Sequence, residues 1–329
     1  MNIMFKDNKE KIMRQAAVIA IAVLLLPTLA FGQAKVGTAG AQFLEIGVSA
    51  RGMALGNAIV ANVDDASAVY YNPAAIGEFD RYKAMFTHIS YVADINYEFA
   101  ALTMPVNALM GNVGIAFYML STDDMPVTSF KNPTGAGAPT FQAKDYALAF
   151  TYAAPWTEHF SLGVTVKYIA ELYHDYKAEG WAADVGTYYN TGFRNLRICM
   201  LLSNFGPDLK FIEEKYPLPQ DFKFGVSIDV LQGPTHRLIF LGQMAHPNDN
   251  LEKYATGFEY WFNDFVALRV GRNYNVDYVS SNDFMKFEGM SFGAGLKMDV
   301  SNFTMGVDYG YQDFGFLDDT HRFSLSLEF

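Results

Sequence analysis

Cysteine is nearly absent from this chain. The single one, Cys199, excludes any intramolecular disulfide, so 329 residues must hold together without cross-links. Charge is scarce as well, at 18% Asp, Glu, Lys and Arg against the ~25% of an average soluble chain. What charge there is runs negative, −11 at neutral pH, which argues against a basic nucleic-acid-binding surface. Long hydrophobic runs are missing too. No stretch beyond the N-terminal region approaches ~18 consecutive apolar residues, which excludes further helical membrane spans. Against these absences stand 28 Phe and 20 Tyr, within a hydrophobic fraction of 51%. Mean hydropathy is nevertheless only +0.05, so the apolar residues must be interleaved with small polar ones.

The first 32 residues read as a targeting segment. Lys6, Lys9, Lys11 and Arg14 precede an apolar run from Ala16 to Leu26, with Pro27 and Ala30-Phe31-Gly32 behind it. A basic flank, a short apolar run and a small-x-small site predict a secretory signal peptide over 1–32, cleaved after Gly32. The run is 11 residues long, whereas a spanning helix needs ~20. No Cys stands at the expected cleavage site, which excludes acylation at the mature N-terminus.

From residue 82 onward the hydrophobicity alternates with a period of two. Phe323, Leu325, Leu327 and Phe329 share one face of the last segment, and Arg322, Ser324, Ser326 and Glu328 share the other. Phe160, Leu162, Val164, Val166 and Tyr168 alternate in the same way with Ser161, Gly163, Thr165 and Lys167. Such faces lie on opposite sides of a sheet. A soluble sandwich also alternates, but here the apolar faces are rich in aromatics near strand ends, as membrane girdles require. The expected fold class is all-β, a transmembrane antiparallel barrel of about fourteen strands with an N-terminal plug. The strands fall near 82–92, 95–105, 111–121, 145–153, 160–172, 180–190, 195–204, 221–230, 235–246, 251–261, 265–274, 287–298, 303–311 and 321–329. Domain boundaries follow: signal peptide 1–32, hatch or plug 33–80, barrel 81–329.

Connection lengths give the barrel a direction. Trp156–His159, Asn190–Gly192, Gln232–Pro234 and Asn263–Asp264 read as tight even-to-odd turns. Apart from the 93–94 link, the odd-to-even connections read as longer, with 122–144 the longest and 205–220 and 275–286 next. Short periplasmic turns and long outer loops are the asymmetry of a bacterial outer-membrane barrel, which fixes the expected localisation and a lipid environment. The amphipathic last strand ending in Phe329 resembles the C-terminal signature that the barrel-assembly machinery reads. Phe323, Leu325, Leu327 and Phe329 are therefore the expected assembly signal.

Residues 37–77 do not alternate. Small residues dominate them, and they are too apolar for a disordered linker. Asp64-Asp65-Ala66-Ser67 is a capping start for a short helix that Asn72-Pro73 would end. The runs Gln42-Phe43-Leu44, Ser49-Ala50-Arg51-Gly52-Met53-Ala54-Leu55-Gly56, Asp64-Asp65-Ala66 and Tyr71-Asn72-Pro73-Ala74 resemble the PorV/PorQ proteins. These belong to the wider FadL-like barrels, which share the Asn-Pro-Ala element. The resemblance implies a hatch inside the lumen, with Asp64, Asp65, Asn72, Pro73 and Ala74 as the hatch or gating candidates. Asn-Pro itself would make the turn toward the first strand. The resemblance further implies a role in type IX protein secretion or surface attachment, through binding of secreted cargo C-terminal domains or a translocon. The alternative it carries is a FadL-like channel for hydrophobic small molecules such as long-chain fatty acids. The outer loops lack the long apolar stretches of the classical transporters.

Catalytic patterns are missing. His88, His159, His174, His236, His246 and His321 are scattered without metal-ligand spacing, and no nucleophile elbow occurs. Asp123-Asp124 and Asp318-Asp319 read as solvated loop carboxylates, since a Ca²⁺ site takes six to eight oxygens. Gly289, Gly293 and Gly295 read as space left in the lumen for the hatch, and Cys199 as a buried thiol on the lumen face. The expectation is a recognition or transport protein, without enzymatic activity, cofactor or nucleic-acid partner.

Overall fold

A computed structural model describes residues 36–92, 95–275, 289–313 and 319–329. The expected signal peptide over 1–32, most of the 275–286 loop and Asp318 lie outside the described residues. Fourteen antiparallel strands close into one barrel. The first seven are β1 (Lys83–Ser90), β2 (Asn96–Val106), β3 (Gly111–Ser121), β4 (Ala143–Thr157), β5 (Phe160–Tyr173), β6 (Tyr176–Asn190) and β7 (Arg197–Phe205). The others are β8 (Asp221–Gln232), β9 (His236–Pro247), β10 (Lys253–Phe262), β11 (Val266–Asn275), β12 (Met290–Val300), β13 (Phe303–Gln312) and β14 (Thr320–Glu328). Each strand pairs with its sequence neighbours, and β1 pairs with β14 from Lys83↔Glu328 to Ser90↔His321. Closure leaves no sheet edge, which is what lipid demands, because an unpaired backbone group there costs several kcal/mol.

The alternation is inverted relative to a water-soluble protein. On β14 Phe323 and Leu325 are exposed while Arg322 and Ser324 are buried; on β5 Leu162, Val164 and Val166 face out and Ser161, Thr165 and Lys167 face in. The same rule runs around the barrel, from Phe86 and Phe117 to Phe292 and Val307. An apolar belt of that extent is stable only against hydrocarbon.

Several connections differ from the sequence expectation. β4 runs on through Trp156 and Thr157, so its turn shrinks to residues 158–159. The expected three-residue turn after Asn190 is longer, because β7 begins only at Arg197 and Arg194 and Asn195 adopt left-handed backbone. The β5–β6 connection, expected among the long ones, is a two-residue turn at His174-Asp175, with φ of 55° at His174. Those strands extend past the apolar pattern because their ends continue to pair above it. The two long outer loops carry small hairpins, Met125–Pro126 with Thr140–Phe141 and Leu209–Phe211 with Glu214–Tyr216.

Residues 36–82 lie against the inner face of the wall. The segment starts at the loop end, where Gly37 N donates to Asp249 O at 3.1 Å and Gly40 N to Pro217 O at 2.9 Å. Farther along, Ala50 N donates to Ser324 Oγ at 2.9 Å, Gly56 N to Ser291 Oγ at 3.0 Å and Val60 N to Gln243 Oε1 at 3.2 Å. It finishes at the turn end, where Asn112 Nδ2 donates to Phe79 O at 2.7 Å. Partners on β14, β12, β9 and β3 surround it, and only the bore of the barrel touches all of them. Two single-turn helices break its course, α1 (Ala50–Ala54) and α2 (Ala68–Tyr71). Ser49 caps α1 by accepting from Gly52 N.

Candidate functional site

The bore is therefore where function must be sought, and the five inner-segment candidates divide into two groups. Asn72, Pro73 and Ala74 sit between β5 and β6. Asn72 Nδ2 donates to Val60 O and Thr187 O, each at 3.1 Å, and its Oδ1 accepts from Ala74 N at 3.1 Å. That last bond caps a 3₁₀ turn, Pro73–Glu78, with proline in the first turn where its missing N–H costs nothing. Beneath them Gly163 and Gly186 face each other across the ladder. A Cβ on Gly163 would lie 2.4 Å from Ala74 N, and one on Gly186 would lie 2.3 Å from Asn72 Oδ1. The Asn-Pro-Ala turn is thus seated on a paired-glycine notch in the wall. Cys199, buried on β7, has the Asn72 side chain beside it.

Asp64 and Asp65 belong to a charge cluster nearer β10, β11 and β13. Arg51 binds Glu259 in bidentate fashion, Nε to Oε1 and Nη2 to Oε2, both at 2.8 Å. Its remaining Nη1 pairs with Asp64. Arg269 joins from β11, Nε at 2.7 Å from Glu259 Oε1, and Asp308 completes the row at 2.5 Å from Arg269 Nη1. Partial burial alone would favour protonation of Asp64, whose side chain is still 57% exposed, but Arg51 and then Lys83 outweigh it and hold its carboxyl well below the usual carboxylate range. Asp65 is pushed up instead, by burial and by the Asp64 charge. It accepts from Ser67 N at 2.8 Å, opening α2.

Of the three glycines expected to make room for the segment, Gly293 does so, with a Cβ there landing 2.4 Å from that of Ala54. Gly295 instead clears the guanidinium of Arg269 and the carboxylate of Asp308, and Gly289 occupies a loop with φ of 76°. Phe323, Leu325 and Phe329 are exposed on the outer face of the barrel, and Leu327 is half-buried. The end of the chain is held by Tyr82: Phe329 N donates to Tyr82 O at 3.0 Å, and the two rings stack at 5.7 Å.

Above the segment, at the loop end, lies a cavity of about 860 Å³. Phe43, Ile46 and Gly47 contribute its floor, and Tyr173, Phe211 and Tyr216 are among its rings. Acidic side chains enter it as well, Glu45, Asp145 and Glu171. Smaller cavities of about 100 Å³ and 50 Å³ lie deeper, the second beside the Arg51 cluster. Sequence reading missed Glu259, Arg269, Asp145 and Glu171. The available signal was a charged residue on an otherwise small-residue inward face, since burying a charge demands a partner.

No family model matches the chain, and no match was found among curated proteins. Solved structures do match. The toluene transporter TodX of Pseudomonas putida is 10% identical, covering 86% of this chain and 97% of its own, with a TM-score of 0.56. The CymD monoaromatic hydrocarbon channel is 11% identical over 86% and 97%, with a TM-score of 0.55. The PorV/PorQ resemblance gains nothing from these comparisons. At such identities the likeness establishes the fold alone: this chain is a closed fourteen-strand antiparallel β-barrel on the plan of TodX and CymD.

Proposed function

We propose that this protein is a FadL-like outer-membrane channel, admitting small hydrophobic solutes from the outside with its N-terminal segment as the gate. One observation carries the reading. A ring-lined cavity of about 860 Å³ sits at the loop end of the barrel, floored by the segment that fills the bore below it. That volume falls within the ~300–1,000 Å³ of small-molecule sites. A solute resting there passes only when Phe43, Ile46 and Gly47 shift, so the gate is the upper part of the segment. The test is uptake of radiolabelled toluene by cells carrying the protein, compared with cells carrying an unrelated barrel. Equal uptake in the two would refute the reading.

The alternative, a cargo- or translocon-binding partner in type IX secretion, is favoured by a different observation. Among the described residues the Arg51–Glu259–Arg269–Asp308 row ties the segment to the wall well below the outer cavity, as a sealed lumen requires. Affinity purification from the native outer membrane distinguishes the two. Exported proteins or a large translocon barrel would favour secretion, whereas bound hydrophobic small molecules alone would favour the channel.

A further inference from the structure

We infer that the outer cavity prefers solutes carrying an ammonium head on an apolar, ring-sized body. This narrows the substrate class of the channel reading and rests on it. Asp145 on β4 and Glu171 on β5 are direct cross-strand partners, 7% and 8% exposed, and both line the cavity. Like charges placed opposite each other destabilise a ladder, and low dielectric sharpens the repulsion. Such a pair is relieved by a proton held on one carboxyl or by a cation between the two. None of the ion pairs among the described residues involves either carboxylate.

Their neutral partners are few. Glu171 Oε1 accepts from Ala41 N at 3.0 Å, the Tyr173 hydroxyl lies beside both groups, and Asp145 Oδ1 has no hydrogen-bond partner among the described residues. Of the cations that line the cavity, Lys253 Nζ stands 3.3 Å from Glu45 Oε2, while Arg322 donates to the neutral Gly47 carbonyl and reaches neither Asp145 nor Glu171 in an ion pair among the described residues. Next to the carboxylates, the rings of Tyr173 and Phe211 pack at 5.5 Å. Unbalanced carboxylates beside aromatic faces are the elements that hold an organic ammonium ion, by charge-assisted hydrogen bonds and by cation–π attraction. A neutral hydrocarbon leaves the pair uncompensated, and an organic anion is repelled.

The experiment is calorimetric titration of the whole mature protein in lipid nanodiscs with 2-phenylethylammonium, 2-phenylethanol and 3-phenylpropionate. The ammonium should bind about tenfold tighter than the alcohol, with the carboxylate weakest. In the isosteric double variant Asp145→Asn/Glu171→Gln the ammonium should fall to the level of the alcohol. Equal affinities in the unmodified protein overturn the inference without recourse to any variant, as does a preference that survives the double substitution. Cellular uptake of radiolabelled toluene and of radiolabelled 2-phenylethylammonium separates this failure from that of the channel reading. Uptake of either without ammonium preference in binding removes the selectivity alone, and ammonium preference in binding with uptake of neither removes the channel alone.

Discussion

Replacing Gly163 by alanine puts the seating of the inner segment to a quantitative test. The new Cβ would stand 2.4 Å from both Ala74 N and Pro73 C, where ordinary contact begins at 3.4 Å. Wall or segment must therefore give by about 1 Å, and the atoms struck are backbone, which no rotamer change can move. The turn cannot slide freely either, because Asn72 is bound to Val60 O, Thr187 O and Ala74 N. Overpacking of this kind costs about 1–3 kcal/mol. At tenfold per 1.4 kcal/mol, the balance between seated and lifted segment moves by roughly 5- to 150-fold. Cys199 supplies the reporter, since it is the sole cysteine and is fully buried beside Asn72. Its labelling by a water-borne maleimide follows the lifted population when opening and closing are fast. Gly163→Ala should label faster by that factor. Gly242→Ala, whose Cβ meets nothing nearer than 3.6 Å, should label like the unmodified protein. If the two variants label alike, the Asn-Pro-Ala turn does not rest on the glycine notch.

Arg51→Ala leaves Glu259, fully buried, with Arg269 as its remaining cation. Urea unfolding followed through Trp261, whose ring lies 5.5 Å from the Arg269 guanidinium, should register a loss of roughly 3–5 kcal/mol. Lys167→Met strands Asp184, its buried partner at 2.7 Å, and should cost a similar ~3–5 kcal/mol. Adding Asp184→Asn should recover most of that loss, and a double variant no better than the single would contradict the pairing. Phe329→Ala removes the ring stacked on Tyr82 where the chain end meets the start of β1. It should lower the fraction of barrel that migrates in the compact, heat-modifiable form on a gel.

Much of this architecture was legible because it is local. A period of two needs only neighbours along the chain, and on β14 the placing of Phe323 and Leu325 outward and Arg322 and Ser324 inward follows from it. Strand ends were less legible. Tyr173 and Tyr176 extend their strands beyond the expected limits, since pairing partners and not composition decide where a strand stops. The site was split along the same line. Asn72-Pro73 declared a turn by its chemistry, while nothing local announced that Gly163 and Gly186 would form the notch under it.

The amino-acid sequence by itself settled the inside-out alternation, the strand count and the small-residue character of the segment that occupies the bore. Closure of the barrel decided everything that depends on distant partners. Arg51 meets Glu259 across a separation of 208 residues, and Asp145 meets Glu171 only through the register of β4 on β5. Each strand carries its own pattern, but which charges end up face to face depends on stagger and closure. Those are properties of the whole ring, and no single strand encodes them.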